Sequence, residues 1–172
     1  MPIREATIDD LADISVVAST TYSAAYGMTL SPEQLSAELK ASRSVGYFRS
    51  AMLTDTVLVS EEDGRIVGYI QPSEVRAKPD NAPPPTRRDQ AINALYVHPD
   101  FRGRGHGRAL MDAAFRHRRL REASNVYIDV WPQNRRALAL YRKCGFEPVG
   151  ECPVTVGGEP AGRDLVLMRP AR

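Results

Sequence analysis

Three glycines alternate with basic residues in one stretch of the chain, directly before a run of good helix formers. The residues are Arg102, Gly103, Arg104, Gly105, His106, Gly107 and Arg108. Glycine has no Cβ atom, so a ligand can approach the main chain, and the N–H groups at a helix N-terminus attract anions. The arginines add side-chain donors that suit phosphate oxygens. This stretch, named the glycine loop below, therefore predicts a site for a phosphorylated ligand, most simply a diphosphate.

Two familiar phosphate loops do not fit the glycine loop. A P-loop ends in Gly-Lys-Ser/Thr, and the dinucleotide fingerprint requires glycine where Arg108 stands. Nucleotide hydrolysis and hydride transfer are thereby disfavoured. Nucleic-acid binding is also disfavoured, because no aromatic residues are interleaved with the arginines to form a stacking surface. A flexible strand-to-helix turn with solvated arginines remains the alternative that composition alone leaves open.

Composition indicates an ordinary globular chain. Its 172 residues, 42% hydrophobic and 26% charged, predict a single domain over residues 1–172, and a net charge of +2 does not by itself indicate a nucleic-acid or membrane partner. The N-terminus does not resemble a signal peptide and no apolar run is long enough to span a bilayer, so we expect a cytoplasmic protein. Cys144 and Cys152 are expected to be free, packed thiols. The histidine and cysteine spacings fit no zinc site, so no metal is predicted.

Hydrophobic periodicity and turn residues predict the element order β-α-α-β-β-β-α-β-α-β-β, an α/β (α+β) fold. Asp63-Gly64 indicates a hairpin between two of the strands. The strands ending at Val97 and Val130 should be parallel neighbours joined by a right-handed crossover. Residues 72–88, rich in proline, predict a long loop. Strands are expected near 3–6, 56–60, 65–71, 91–97, 126–130, 146–151 and 164–169; helices are expected after caps at Thr7, Ser31 and Asn134 and over 105–120.

Two motifs of the chain resemble those of the GNAT superfamily of acyl-CoA-dependent N-acetyltransferases. The run from Arg102 to Gly107 is similar to the family's Q/R-x-x-G-x-G/A motif. A second pattern, N…A…Y…GF, is matched by Asn134, Ala137, Tyr141, Gly145 and Phe146. The resemblance implies a mixed central sheet of about seven strands, with a splayed parallel pair that holds acyl-CoA.

The resemblance also implies acetyl-CoA as the donor and a role for each motif residue. Main-chain groups of Leu95, Tyr96 and Val97 are expected to bind the pantetheine amides as a strand would, and residues 102–108 the diphosphate. An N–H near Val97 is expected to polarise the thioester carbonyl. Asn134 is expected to cap its helix and contact the pantetheine. Tyr141 is expected to act as general acid toward the leaving sulfur, although its spacing also fits a core tyrosine.

The general base is left unassigned. Many relatives carry a glutamate on the strand before the glycine loop, where this chain has Asn93 and Ala94, and Asp129 and Glu74 are the nearest alternatives. The predicted reaction is direct acetyl transfer from acetyl-CoA to a primary amine of a small molecule or peptide, since neither cysteine stands where a nucleophile is expected. The alternatives are a non-catalytic acyl-CoA-binding regulatory module and a protein N-terminal acetyltransferase. The sequence does not select the acceptor, and a homodimer is compatible with it.

Overall fold

A computed structural model describes residues 1–76, 79–80, 85–156 and 158–170 of the chain. Six α-helices and seven strands lie within these ranges. The helices are α1 Leu11–Tyr26, α2 Pro32–Ser42, α3 Val45–Ala51, α4 His106–Arg116, α5 Arg118–Arg121 and α6 Arg135–Lys143. The strands are β1 Ile3–Glu5, β2 Leu58–Glu62, β3 Arg65–Glu74, β4 Asp89–Val97, β5 Asn125–Val130, β6 Glu147–Val156 and β7 Glu159–Pro170.

The seven strands form one mixed sheet in the order β1-β2-β3-β4-β5-β7-β6, which confirms the predicted fold class. The described chain groups into two compact units. The first unit consists of Met1–Gln71 with Ala94–Ala113, and the second of Pro72–Asn93 with Ala114–Arg172. The single domain expected over residues 1–172 stays a prediction.

The first unit is built on the antiparallel ladder β1–β2–β3. Helix α1 places Leu11 and Ile14 on one face, where they join a cluster with Phe48 of α3 and Tyr69 of β3. Full burial of each such side chain stabilises the fold by roughly 1.5–3 kcal/mol. The Asp63-Gly64 turn has two positive φ angles, 52° and 73°, as the predicted hairpin requires.

The second unit is built on the antiparallel ladder β5–β7–β6, with the start of β4 parallel to β5. The parallel pairs in this unit join Asp89, Gln90 and Ala91 to Asn125, Val126 and Tyr127, so the predicted parallel orientation is confirmed. The carboxylate of Asp89 accepts from the Asn125 side chain at 2.8 Å, which fixes this register. The predicted splaying of the two strands farther along stays a prediction.

Several local predictions need correction. Helix α3 was not predicted; it is short, and its N-terminus depends on a Ser44 cap that accepts from the N–H of Tyr47 at 3.1 Å. The helix expected over 105–120 is interrupted at His117, whose backbone is extended and whose ring accepts from the N–H of Arg119, so that a new helix begins.

The strand boundaries also differ from the sequence prediction. Strand β3 continues to Glu74 and so extends into the predicted loop 72–88, whereas β4 begins at Asp89, directly after that loop and two residues before its predicted start. Residues 77–78 and 81–84 of the predicted loop lie outside the described ranges. Strands β6 and β7 are longer than expected, because the hairpin ladder between them continues through two register shifts.

Two expectations from composition can be compared with the structure. Cys144 and Cys152 are free and buried, as predicted. Among the described residues, no helix is both long and apolar enough to cross a membrane. The expected cytoplasmic location stays a prediction.

Candidate functional site

The glycine loop lies in the first unit, where it follows β4 and continues into the first turn of α4. The N–H of His98 donates to Val67 at 2.8 Å, which keeps the end of β4 beside β3. Gly103 and Gly105 then adopt φ angles of 82° and 93°, a region that residues with a Cβ atom rarely occupy. A Cβ added to Gly103 would meet no heavy atom of the described chain within 4 Å. The main chain at this turn is therefore open to an approaching ligand.

The three arginines of the glycine loop have partners within the protein. Arg104 forms a salt bridge with Glu62 and its guanidinium lies 4.9 Å from the Phe101 ring centre. Arg108 donates to both carboxylate oxygens of Asp112 at 3.0 Å, one helical turn along α4. Exposed ion pairs of this kind contribute only about 0–1 kcal/mol. An arriving phosphate can therefore replace the Asp112 carboxylate as the partner of Arg108 at little cost.

Arg102 lies closest to the strand end. Its Nε donates to the carbonyl oxygen of Val97 at 3.3 Å. This contact joins the first arginine of the glycine loop to the last residue of β4. Both residues are predicted from the sequence to contact acetyl-CoA, and the structure shows that they are neighbours within the first unit.

His106 directs its side chain into the first unit. The ring is 1% exposed, its Nδ1 lies 2.7 Å from Ser60 Oγ, and its Nε2 lies 2.6 Å from Glu62 Oε2. The hydrogen bond from His106, followed by that from Arg104, holds the pKa of Glu62 below its usual range. Only the main-chain N–H of His106, in the first turn of α4, remains suited to the predicted ligand contact. Sequence reasoning missed Ser60 and Glu62, because both are distant from His106 along the chain.

Residues 95–97, predicted to bind pantetheine, form the end of β4 and are half-buried. The ring of Tyr96 meets that of Tyr69 edge-on at 5.7 Å, and its hydroxyl accepts from Arg43 at 3.4 Å. Gly68 of β3 lies so close that an added Cβ would be 2.9 Å from the carbonyl oxygen of Tyr96. The sequence did not indicate this close approach, which keeps the backbone of Tyr96 in place.

Arg43, the residue that follows α2, also contacts α1. Its guanidinium stacks 3.5 Å over the ring of Tyr22, whose centre is 4.6 Å from that of Tyr26. Stacking of a guanidinium on an aromatic ring favours a fixed geometry. Tyr22 and Tyr26 of α1 thus lie side by side, next to a cation.

Asn134, directly before α6, and Tyr141, within α6, lie in the second unit. The Asn134 side chain accepts from the N–H of Ala137 at 3.1 Å, which confirms its role as a helix cap. Tyr141 is 6% exposed and its ring centre lies 6.1 Å from that of Phe146. Its ring is therefore part of the core. The pantetheine contact of Asn134 and the acid role of Tyr141 stay predictions.

Two carboxylates of the second unit, Asp129 and Asp164, have raised pKa values. Asp129 of β5 is opposite Val166 of β7, and Asp164 is two residues from Val166, so strand alternation places both carboxylates on one face. Burial and then the charge of Asp129 raise the pKa of Asp164 to about 6, and burial also raises the pKa of Asp129. Sequence reasoning considered Asp129 but missed Asp164, because pairing across strands brings the two together.

Comparison with known proteins identifies the class. The model of the Acetyltransferase (GNAT) family matches residues 23–146, and the chain belongs to this family. An uncharacterized N-acetyltransferase of Mycobacterium tuberculosis is 29% identical over 163 residues, which cover 93% of this chain and 97% of that protein.

Solved structures share the fold. The PaiA N-acetyltransferase of Thermoplasma acidophilum, in complex with coenzyme A, aligns with a TM-score of 0.76 and 18% identity over 98% of both chains. YncA of Salmonella typhimurium, determined with its cofactor acetyl-CoA, aligns with a TM-score of 0.68 and 23% identity over 100% of this chain and 94% of that one. As a member of the GNAT family, the chain is an acetyl-CoA-dependent N-acetyltransferase, as its motifs predicted.

Proposed function

We propose that this enzyme transfers the acetyl group directly from acetyl-CoA to a primary amine of a small molecule or peptide. The open main chain of the glycine loop carries the proposal, because two left-handed glycines precede a helix N-terminus there. That geometry suits a diphosphate, which is the most strongly anionic linkage of coenzyme A. The exposed ion pair of Arg108 with Asp112 can be exchanged for contact with the diphosphate at little cost.

In the proposed reaction, Leu95, Tyr96 and Val97 bind the pantetheine amides through their main chain, and Asn134 adds a side-chain contact. The main-chain N–H near Val97 stabilises the negative charge that develops on the thioester oxygen. The acetyl donor supplies an activated carbonyl carbon. The amine nitrogen forms its bond to that carbon, the carbon–sulfur bond breaks, and Tyr141 gives its hydroxyl proton to the departing sulfur. The acylated nitrogen releases its extra proton to solvent and the tyrosinate takes up a proton from solvent, so the products are the acetylated amine and the coenzyme A thiol.

The amine must reach the carbonyl without a proton on its lone pair. Removing a proton from a lysine-like amine at pH 7 costs roughly 4.6 kcal/mol, whereas an α-amine with a pKa near 7.8 costs only about 1 kcal/mol. An acceptor of the second kind needs little help from a base. We assign no base residue, because β4 carries Asn93 and Ala94 where relatives have a glutamate.

Direct transfer is supported by the state of the cysteines. Burial, followed by the charges of nearby carboxylates, raises the pKa of Cys152 to about 11, so that thiol is protonated at neutral pH. Cys144 is buried next to the end of α6. A thiol that is neither ionised nor exposed does not form an acetyl-enzyme readily.

An acceptor screen tests the proposal. Purified enzyme is mixed with acetyl-CoA and a panel of polyamines, amino acids, lysine derivatives and peptides with free N-termini, and released thiol is measured. We expect thiol release with at least one primary amine and the acetylated amine in the products. Coenzyme A binding without turnover on any amine would instead support a regulatory acyl-CoA-binding module, which the absent glutamate favours. Turnover confined to peptide N-termini would identify a protein N-terminal acetyltransferase.

A further inference from the structure

Three side chains of the first unit form a connected chain of hydrogen bonds behind the glycine loop. Ser60 and Glu62 are two residues apart on β2 and share a face, and the His106 ring lies between them. One ring nitrogen is 2.7 Å from Ser60 Oγ and the other 2.6 Å from Glu62 Oε2. Both nitrogens of a buried imidazole are therefore satisfied by a single strand.

The combination of serine, histidine and acid is also that of hydrolases, but the burial excludes such chemistry here. Ser60 is 0% exposed and His106 is 1% exposed. A nucleophilic serine must contact the carbonyl of its substrate, and this hydroxyl has no route to one. The arrangement can only hold elements of the protein together.

Glu62 also binds Arg104, the glycine-loop residue that precedes Gly105, whereas His106 follows Gly105. One carboxylate oxygen binds the His106 ring and the other binds the Arg104 guanidinium. The two loop residues that flank Gly105 are thus held by one carboxylate of β2. Gly105 itself has a φ of 93°, and the nearest described atom to an added Cβ is in Met1 at 3.8 Å. The two side chains are engaged on β2, while the glycine backbone between them stays uncovered.

We infer that His106 and Glu62 are positioning residues, which hold the glycine loop so that its main chain binds the diphosphate of the donor. This inference rests on the proposed function, and it assigns to two side chains a role that the motif alone does not give them. Arg104 and His106 then contribute to binding through their backbone N–H groups and through the shape of the loop.

Two substitutions of His106 separate its two hydrogen bonds. His106→Gln places an amide near the position of Nε2, so the bond to Glu62 can form while that to Ser60 is lost. His106→Asn places an amide near Nδ1, which preserves the Ser60 contact and loses the one to Glu62. A third variant, Glu62→Gln, removes the negative charge that binds Arg104. Because Glu62 is partly exposed at the end of β2, we expect this variant to fold. Its matched control is Glu61→Gln on the same strand.

Binding of three ligands is measured for each folded variant. Coenzyme A and dephospho-coenzyme A contain the diphosphate and are titrated by calorimetry; pantetheine lacks it and is titrated by ligand-observed NMR. We expect His106→Asn to raise the Kd of the first two about tenfold, or about 1.4 kcal/mol, and Glu62→Gln to raise them about fivefold. His106→Gln and Glu61→Gln should stay within about threefold of wild type, and pantetheine binding should not change.

The inference is overturned if both His106→Asn and Glu62→Gln bind coenzyme A as wild type does. It is also overturned if a variant raises the Kd of all three ligands by the same factor, since that result indicates a general loosening of the fold. If His106→Asn does not fold, the Kd of Glu62→Gln for coenzyme A alone tests the inference. A wild-type protein that binds neither coenzyme A nor dephospho-coenzyme A refutes the proposed function and this inference with it, whereas normal wild-type binding with unaffected variants refutes the inference alone.

Discussion

Two sets of carboxylates, one in each unit, have opposite electrostatic environments. In the first unit, carboxylates are paired with cations: Asp10 with Arg4, and Glu62 with Arg104 and His106. In the second unit, Asp129 and Asp164 share a sheet face, and burial followed by the charge of Asp129 raises the pKa of Asp164. Paired charges fix a conformation, whereas unfavourably placed carboxylates retain protons more readily.

This difference matches the roles that the two units have in the proposed reaction. The first unit contains the glycine loop, which needs a fixed main chain to bind an anion. The second unit contains Tyr141, which is proposed to release a proton, and carboxylates whose pKa is shifted toward neutrality. The comparison predicts that substitutions in the first unit alter binding or stability, and that those in the second alter turnover or pH dependence.

The largest effect is expected at Tyr141. Replacing it with phenylalanine removes the proposed acid while retaining the ring that packs on Phe146. We expect kcat to fall about a hundredfold or more, with the Kd for coenzyme A unchanged within about twofold. Steady-state kinetics and calorimetry measure the two quantities, and Tyr127→Phe on β5 is the matched control. Unchanged kcat in Tyr141→Phe would leave the tyrosine only its role in the core.

The next effect concerns the Arg4–Asp10 pair. The Arg4 hydrogen bonds, opposed by burial and aided by Thr7, hold the pKa of Asp10 well below its usual range. A depressed carboxyl pKa stabilises the fold at pH values above the unfolded pKa near 3.9, and the contribution is lost as pH falls toward the folded pKa. Asp10→Asn should therefore reduce the free energy of unfolding by about 2 kcal/mol at pH 7.

Urea denaturation at pH 7 and at pH 3 measures this effect, with the exposed neighbour Asp9→Asn as control. The difference between Asp10→Asn and wild type should become smaller at pH 3. An equal difference at both pH values contradicts the pairing as its cause.

A smaller effect is expected when Gly105 is replaced by alanine. Its φ of 93° strains any residue with a Cβ atom by roughly 1–2 kcal/mol, and the methyl group projects from the main chain that is proposed to meet the diphosphate. We expect the Kd for coenzyme A to rise about tenfold in titration calorimetry, equivalent to about 1.4 kcal/mol. Gly64→Ala, at a φ of 73° with no described atom near an added Cβ, is the control for strain alone. If both variants bind coenzyme A equally well, the loop backbone is not a ligand contact.

The smallest effect is expected for Asp164→Asn. Because the folded pKa of about 6 exceeds the unfolded value of 3.8, the ionised carboxylate destabilises the fold, and stability falls as pH rises between these values. The asparagine variant should be about 1 kcal/mol more stable than wild type at pH 7, since solvent screening reduces the full linkage value at this half-buried group.

Thermal unfolding from pH 3.5 to pH 8 measures this gain, with the exposed Glu159→Gln as control. The gain should vanish below pH 4. A constant gain across the whole range points to packing and contradicts the assigned charge effect.

Features with local causes could be predicted from the sequence. The Ser31 capping box forms as expected, with reciprocal bonds to Gln34 of 3.2 and 3.0 Å, because cap and partner are three residues apart. The Asp63-Gly64 hairpin and the glycine loop are likewise set by neighbouring residues. The two motifs also identified the family, and the family implied the mixed seven-stranded sheet that local signals alone do not specify.

Features that depend on distant pairing could not be predicted in this way. The His106 ring meets Ser60 across 46 residues, and only the fold brings them together. The shared face of Asp129 and Asp164 depends on the register of β5 against β7. The seven-residue helix α3 is too short to show a hydrophobic period, and its formation depends on burial of Phe48.

If the main chain of the glycine loop binds the diphosphate of coenzyme A, its backbone N–H groups should be protected in the complex. Hydrogen–deuterium exchange of the wild-type protein, with and without saturating coenzyme A, tests this binding at the level of the backbone N–H groups. We expect slower exchange in peptides that cover residues 103–108 when coenzyme A is present, and little slowing there with pantetheine. Coenzyme A binding that leaves exchange in 103–108 unchanged would contradict it.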